Sequence, residues 1–108
     1  MSLKIVYEFN WERQVRACCA ELKNNAFLDS KVAFVGNLIK NNHYLYKVED
    51  NENGALIGFI VYKGNGIRTH IYNGDMIPTA SYIRPHYAQN LIVQNEFDIL
   101  TNTIINKN

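Results

Sequence analysis

The stretch that decides the fold is DNENGALIGFIVYK, residues 50–63. Its first five residues have the composition of a hairpin turn. Residues 55–63 are apolar at both alternating sets of positions, so we expect a central strand that is covered on both faces. Gly58 within it indicates a β-bulge or the close approach of another backbone. The two predicted sets are Leu56, Ile60 and Tyr62 on one side and Ile57, Phe59 and Val61 on the other.

Segments on both sides of this strand alternate with the period of two that is typical of strands. They are residues 3–9, 43–49, 67–72 and 79–83. Asn73-Gly74 is the strongest two-residue hairpin signal in the chain, so we expect residues 79–83 to return beside residues 67–72. Arg84-Pro85 then breaks the last strand.

Three segments carry apolar residues at helical spacing. Asn10 is the expected N-cap of the first helix, which Asn24-Asn25 ends. Asp29-Ser30 is the expected cap of the second helix, which Asn41-Asn42 closes, and Asn90 is the expected cap of the third. The stripes are Trp11, Val15, Cys18, Cys19 and Leu22, then Val32, Val35, Leu38 and Ile39, then Val93, Phe97, Leu100 and Ile104.

The predicted order of elements is therefore β-α-α-β-β-β(-β)-α. We expect one α+β domain over residues 1–108, with a mostly antiparallel sheet and helices packed on it. The hydrophobic fraction of 47% and the charged fraction of 19% are ordinary for a globular domain.

Charge and cysteine content limit the classes of function. Eleven basic and ten acidic side chains give a net charge of +1, too small for a field that drives binding to nucleic acid or to a membrane surface. Cys18 and Cys19 are adjacent, which makes them a poor disulfide and a poor chelate. With no apolar segment at the start of the sequence, these features predict a cytoplasmic protein. The 15 asparagines are typical of an AT-rich genome, such as that of a low-GC bacterium or its phage.

Two motifs, together with the element order, cover most of the chain. The first is Asn53-Gly54-Ala55-Leu56-Ile57-Gly58-Phe59-Ile60, and the second is Tyr82-Ile83-Arg84-Pro85-His86-Tyr87, which an amphipathic helix follows. They resemble the hairpin leading into the third strand, and the end of the fourth strand, of the acyl-CoA N-acyltransferases (N-acetyltransferases). The resemblance implies the first two-thirds of that fold, in a shortened form.

The resemblance also implies where acyl-CoA would bind. If it binds, the cofactor-binding residues are Ile83, Arg84, His86, Gln89 and Asn90, and the anion lies at the start of the following helix. The family has Arg/Gln-x-x-Gly-x-Gly/Ala at this point, whereas residues 88–93 here read AQNLIV, without a glycine. The family's fifth strand and fourth helix follow its third helix, and this sequence ends at Asn108. We therefore expect no cofactor, with acetyl-CoA as the alternative.

Other residues of catalytic type form no clear constellation. His43, His70 and His86 lack the spacing of metal ligands, so no metal site is predicted. Glu8, Asp75 and Glu96 are each of a type that acts as a general base, but nothing in the sequence distinguishes one of them, and the catalytic residues stay unknown. A tyrosine-rich sheet surface that stacks nucleotides is a further alternative. It would use Tyr62, Tyr72, Tyr82 and Tyr87 with Lys63, Arg68 and Arg84.

Three functions follow, in order of preference. The first is a non-catalytic interaction protein on a shortened N-acetyltransferase-like scaffold, of the kind that a phage or mobile element uses to bind a host or virion protein. The second is an acyl-CoA-dependent N-acetyltransferase with a divergent cofactor loop, and the third is a single-strand nucleic-acid binder. We expect residues 79–83 to form a sheet edge that pairs with a second copy or with a partner protein, unless residues 3–9 cover it.

Overall fold

In the computed structural model, which describes residues 2–64 and 77–105, four strands form one antiparallel sheet. The strands are β1 (Leu3–Tyr7), β2 (His43–Asp50), β3 (Leu56–Lys63) and β4 (Ile77–Ile83), in the spatial order β1-β2-β3-β4. The α+β class and the antiparallel sheet are confirmed. The predicted strand at residues 67–72 and the predicted turn at Asn73-Gly74 lie outside the described residues.

Three α-helices in the described part of the chain cover the two faces of the sheet. They are α1 (Trp11–Cys19), α2 (Asn25–Lys40) and α3 (Leu91–Ile105), with short 3₁₀ turns at Ala20–Leu22 and Pro85–Tyr87. The core under α1 and α2 consists of Val15, Cys18, Cys19, Val35, Leu45, Phe59 and Val61. The core under α3 consists of Tyr46, Val48, Ile57, Ile60, Tyr62, Val93 and Phe97.

Strand β3 is central, as predicted, but its two sets of side chains are not those that strict alternation gives. Val48 pairs with Gly58 and Glu49 with Leu56, so Ile57 is an extra residue in a β-bulge. The bulge places Ile57 in the core under α3. It places Leu56 against the core under α1 and α2. The predicted faces of Leu56 and Ile57 are therefore wrong, whereas the bulge that Gly58 indicates is confirmed.

Helix α2 begins a turn earlier than predicted. The Asn24 Oδ1 atom accepts a hydrogen bond from the Phe27 backbone N–H at 3.0 Å, so Asn24 is the cap. Asp29 and Ser30 lie inside the helix, and the prediction that they cap it is wrong. The reason is that Phe27 and Leu28 pack against the core, which extends the apolar stripe toward the start of the helix.

The other helix ends differ in how they are capped. Helix α1 ends at Cys19, before the predicted end at Asn24-Asn25, and the Asn10 side chain makes no capping hydrogen bond. The Glu8 carboxylate instead accepts from the Asn10 backbone N–H at 3.1 Å. Asn90 caps α3 as predicted. Among the described residues, no helix is both long enough and apolar enough to cross a bilayer.

Candidate functional site

Strand β4 is the last strand of the described sheet and has the sequence IPTASYI, without a charged residue. Exposed edge strands usually carry charges or proline, because their backbone groups recruit other strands. Here Pro78 and a register shift opposite Val61 and Tyr62 interrupt the first half of β4 only. Strand β1 pairs with β2, at the other end of the described sheet, so it does not cover this edge. Among the strands that the structure describes, the second half of β4 is thus a regular and uncharged edge.

The direction of the β4 backbone groups follows from one hydrogen bond. The Arg84 N–H donates to the Ile57 carbonyl at 2.8 Å, across to β3. Because backbone groups of a strand alternate in direction, the Tyr82 N–H also faces β3. The backbone groups of Ser81 and Ile83 therefore face away from the sheet, and the Ser81 side chain is exposed.

Aromatic residues hold the side chain of Tyr82 in place on the α1 and α2 face. The ring of Tyr82 stacks on Phe59, with centroids 5.7 Å apart and an interplanar angle of 23°. The Lys31 Nζ atom lies 5.6 Å from the Tyr82 ring centroid, 5.4 Å from that of Phe27 and 5.8 Å from that of Phe34. These contacts hold the Tyr82 side chain in one position on this face of the sheet.

An ion pair between Arg84 and Glu21 lies at the end of β4. The Arg84 Nε atom donates to Glu21 Oε1 at 2.7 Å, and its Nη1 atom donates to the Leu56 carbonyl at 2.7 Å. The second oxygen of Glu21 accepts from the His86 backbone N–H at 3.1 Å. Sequence reasoning missed Glu21, because it lies in a 3₁₀ turn far from β4 along the chain and no local pattern pairs it with Arg84.

Four of the five residues predicted to bind acyl-CoA make structural contacts in this protein. Arg84 and His86 meet around Glu21, Ile83 packs against the core under α3, and Gln89 is exposed. The Asn90 Oδ1 atom accepts from the N–H groups of Ile92 at 3.0 Å and of Val93 at 3.2 Å. These are donors that a pyrophosphate would use at the start of α3. Asn90 therefore leaves fewer backbone N–H donors for an anion, and Glu21 places a carboxylate beside Arg84.

The residues of catalytic type differ in burial: Glu8 and Glu96 are half-buried, Asp75 and His70 lie outside the described residues, and the two cysteines and His43 are buried. Cys18 and Cys19 are buried, and burial raises the pKa of the Cys18 thiol to about 12. A thiol protonated at neutral pH is a poor nucleophile. The His43 Nδ1 atom is 2.8 Å from the Asn41 carbonyl, to which it donates, and Nε2 is 3.1 Å from the Thr79 hydroxyl. The described residues contain no cluster of three or more side chains arranged to bind a metal ion.

The buried thiol gives a prediction for alkaline pH. The pKa of Cys18 rises from 9.0 to about 12 on folding, so the unfolded chain loses this proton first as the pH increases. The contribution of the protonated Cys18 thiol to the free energy of unfolding is fully present below pH 9. It is lost between pH 9 and pH 12, by about 1.4 kcal/mol per pH unit at most. Urea unfolding of the wild type and of Cys18→Ala, repeated over this range, measures the effect. We expect the variant to lose stability less steeply, and parallel losses would contradict the prediction.

Two tyrosines of the predicted nucleotide-stacking surface, Tyr62 and Tyr82, do not lie together. Tyr62 belongs to the core under α3, whereas Tyr82 packs against the core under α1 and α2. Their rings therefore lie on opposite faces of the sheet. Tyr72 and Arg68 lie outside the described residues.

Comparison with models of protein families, with curated protein sequences and with solved structures finds no match to this chain. The resemblance to the N-acetyltransferases stays a prediction from the sequence.

Proposed function

We propose that this chain is a non-catalytic interaction protein that associates through the second half of β4. The scaffold is a shortened N-acetyltransferase-like domain, and the first partner is a second copy of the chain. The observation that carries the proposal is the uncharged edge with the backbone groups of Ser81 and Ile83 directed outward. Such groups pair readily with another strand, because pairing replaces their hydrogen bonds to water and excludes water from the adjacent side chains.

A two-fold axis at Ser81 gives the pairing that fits this edge best. Antiparallel strands centred there place Ser81 opposite its own copy, Tyr82 opposite Ala80 and Ile83 opposite Thr79. A large residue then faces a small one on either side of the axis, and no charge meets a like charge. The two sheets become one continuous sheet, as a closed two-fold dimer allows.

The same backbone groups suit a strand from another protein, such as a host or virion protein. The outward groups of Ser81 and Ile83 do not depend on what the second strand is. A second copy is the simpler occupant because it requires nothing beyond this chain. A monomeric wild type that captures a partner through Ser81 would replace the dimer with this second form of the proposal.

The substitution Ser81→Pro tests the dimer. Proline removes the outward N–H of residue 81 and blocks the approaching strand, while the bonds from β4 to β3 stay intact. We expect a wild-type dimer in light scattering at several concentrations and a monomer for Ser81→Pro. Proline at position 82 would be a poorer test, because the Tyr82 N–H faces β3 and its loss would also damage the sheet.

The matched control is Ser81→Ala, which removes the hydroxyl and keeps the backbone N–H. It should dimerise like the wild type. A second check is Ser81→Cys, because paired residues about 5.5 Å apart at Cα are within disulfide range. Oxidation should link two copies of this variant, and Ser30→Cys, on the exposed surface of α2, should not link. A wild-type dimer that is indifferent to Ser81→Pro would contradict the proposed contact.

The same proposal predicts weak binding of acetyl-CoA. The two N–H groups at the start of α3 already bond to Asn90, and Glu21 offsets the charge of Arg84. We expect a dissociation constant no tighter than roughly millimolar, about −4 kcal/mol. Isothermal titration calorimetry with acetyl-CoA measures it, and free phosphate provides the control for anion binding alone. Micromolar binding would support the acetyltransferase alternative instead.

A further inference from the structure

Lys31, on α2, has no acidic partner in the part of the chain that the structure describes. The ion pairs found there join other side chains, and the Lys31 Nζ atom makes no hydrogen bond there. Residues 27, 28, 34 and 35, one helical turn away on either side, are all apolar, so α2 offers no carboxylate within reach. Asp29 is two positions away and points in another direction. The charge of Lys31 is therefore open to a group from another molecule.

Three aromatic rings hold the ammonium group of Lys31 in place. The Nζ atom lies 5.4 Å from the ring centroid of Phe27, 5.6 Å from that of Tyr82 and 5.8 Å from that of Phe34. Each contact attracts the cation to the negative face of a ring. The Lys31 side chain is also half-buried. Part of the rotamer entropy that a lysine loses when it forms an ion pair is therefore lost before a partner binds.

Lys31 lies beside the edge that pairs with another strand in the proposed function. The ring of Tyr82, in the second half of β4, stacks on Phe59 of β3 with centroids 5.7 Å apart. Phe59 thus covers the side of the ring that is directed into the sheet, and a strand that pairs with β4 approaches from the other side. The residue of that strand opposite Tyr82 has its Cβ about 4.5–5.5 Å from the Tyr82 Cβ. A glutamate there brings its carboxylate to the level of the ring and within reach of Lys31.

The strand of a second copy does not supply this carboxylate. In the two-fold pairing Ala80 lies opposite Tyr82, and β4 has no acidic residue. Glu21, the acidic residue at the end of β4, already accepts from Arg84 and from a backbone N–H with its two oxygens. Pairing with β4 of a second copy therefore leaves Lys31 without a carboxylate, whereas a strand from another protein can carry one.

We propose that a partner protein presents to the β4 edge an extended segment with an acidic residue opposite Tyr82, and that its carboxylate pairs with Lys31. This inference rests on the proposed association through β4 and adds the chemistry of the partner. The segment bonds to the outward backbone groups of Ser81 and Ile83, as a second copy does. It therefore competes with the second copy for the same groups and converts the dimer into a one-to-one complex.

Two synthetic strands test the charge requirement on the full chain. They are the fluorescein-labelled peptides TVTETVT and TVTQTVT, which differ only in the charge of the central residue. Fluorescence anisotropy gives their dissociation constants as the protein is titrated in. We expect the glutamate peptide to bind about threefold more tightly or better at low salt, and the ratio to fall in about 0.5 M salt. Self-association of the chain competes with both peptides equally, so it does not change the ratio.

Three variants locate the contact. Lys31→Met removes the charge and keeps an apolar stem against the rings, so we expect it to bind the two peptides equally. Lys40→Met, at the exposed last residue of α2, is the matched control and should keep the preference for glutamate. Ser81→Pro should bind neither peptide, because the approaching strand is blocked.

The outcomes separate this inference from the association through β4. Equal binding of the two peptides to the wild type, lost in Ser81→Pro, would overturn the acidic partner and leave pairing at β4 intact. A preference for glutamate that survives in Lys31→Met would also overturn it. Binding of neither peptide to the wild type would overturn it as well, and light scattering would show separately whether the dimer forms.

Discussion

Replacing Gly58 by alanine is expected to destabilise the protein by about 4 kcal/mol or more, because the added atom meets backbone and not a flexible side chain. A Cβ at residue 58 would lie 2.0 Å from the Tyr82 carbonyl oxygen and 3.1 Å from the Ile83 Cα. Strand β4 must move by more than about 1 Å to remove this clash, since such contacts need at least about 3 Å. The movement breaks ladder bonds between β3 and β4, and each unsatisfied buried group costs about 1–3 kcal/mol.

Urea unfolding measures this loss, and amide hydrogen exchange shows whether it is concentrated in β4. Gly54→Ala is the control, because Gly54 has φ +73° and no atom within 4 Å of its added Cβ. It should lose only about 1 kcal/mol, the cost of the left-handed backbone to a residue with a side chain. If Gly58→Ala is as mild as Gly54→Ala, β3 and β4 are not as close as described. Because the proposed dimer contact lies on β4, Gly58→Ala should also weaken association if that contact forms.

The apolar residues at both alternating sets of positions, and the turn composition before them, were sufficient to predict β3 as a central strand, because both properties are local. The predicted faces of the residues after Gly58 are correct, whereas those of Leu56 and Ile57, which precede it, were not predictable. The bulge at Ile57 depends on how β2 pairs with β3, and no pattern within β3 encodes that register. One extra residue exchanged the faces of Leu56 and Ile57, as a shift of one position does in any strand.

Part of the candidate site could likewise be predicted from the sequence, and part of it required the structure. Residues 79–83 were expected to form an edge because a predicted helix, and not another strand, follows Arg84-Pro85 in the sequence. The direction of the Ser81 N–H comes from the register of β4 on β3, so it required the structure. The Arg84–Glu21 pair joins residues far apart in the chain and leaves no local signal.

Replacing Phe59 by alanine is expected to lower the free energy of unfolding by about 3–5 kcal/mol. The Phe59 side chain is 1% exposed and belongs to the core under α1 and α2, together with Val15, Val35 and the two cysteines. Alanine leaves a cavity, because the ring of Tyr82 that stacks on Phe59 is held by Phe27 and Lys31 and does not collapse into the space. Domains of this size are stable by about 5–15 kcal/mol, so the loss is a large part of the total.

Phe9→Ala provides a control with the same chemistry at the opposite extreme of burial. Phe9 is 84% exposed, so its removal should change stability by no more than about 0.5 kcal/mol. Thermal and urea unfolding of the two variants beside the wild type measure the difference. For a domain near 100 residues, 3 kcal/mol corresponds to a drop in Tm of roughly 12 °C or more. A Phe59→Ala protein that melts within a few degrees of Phe9→Ala would mean that β3 is not covered on the α1 and α2 face, because only a well-packed and buried ring leaves a cavity when it is removed.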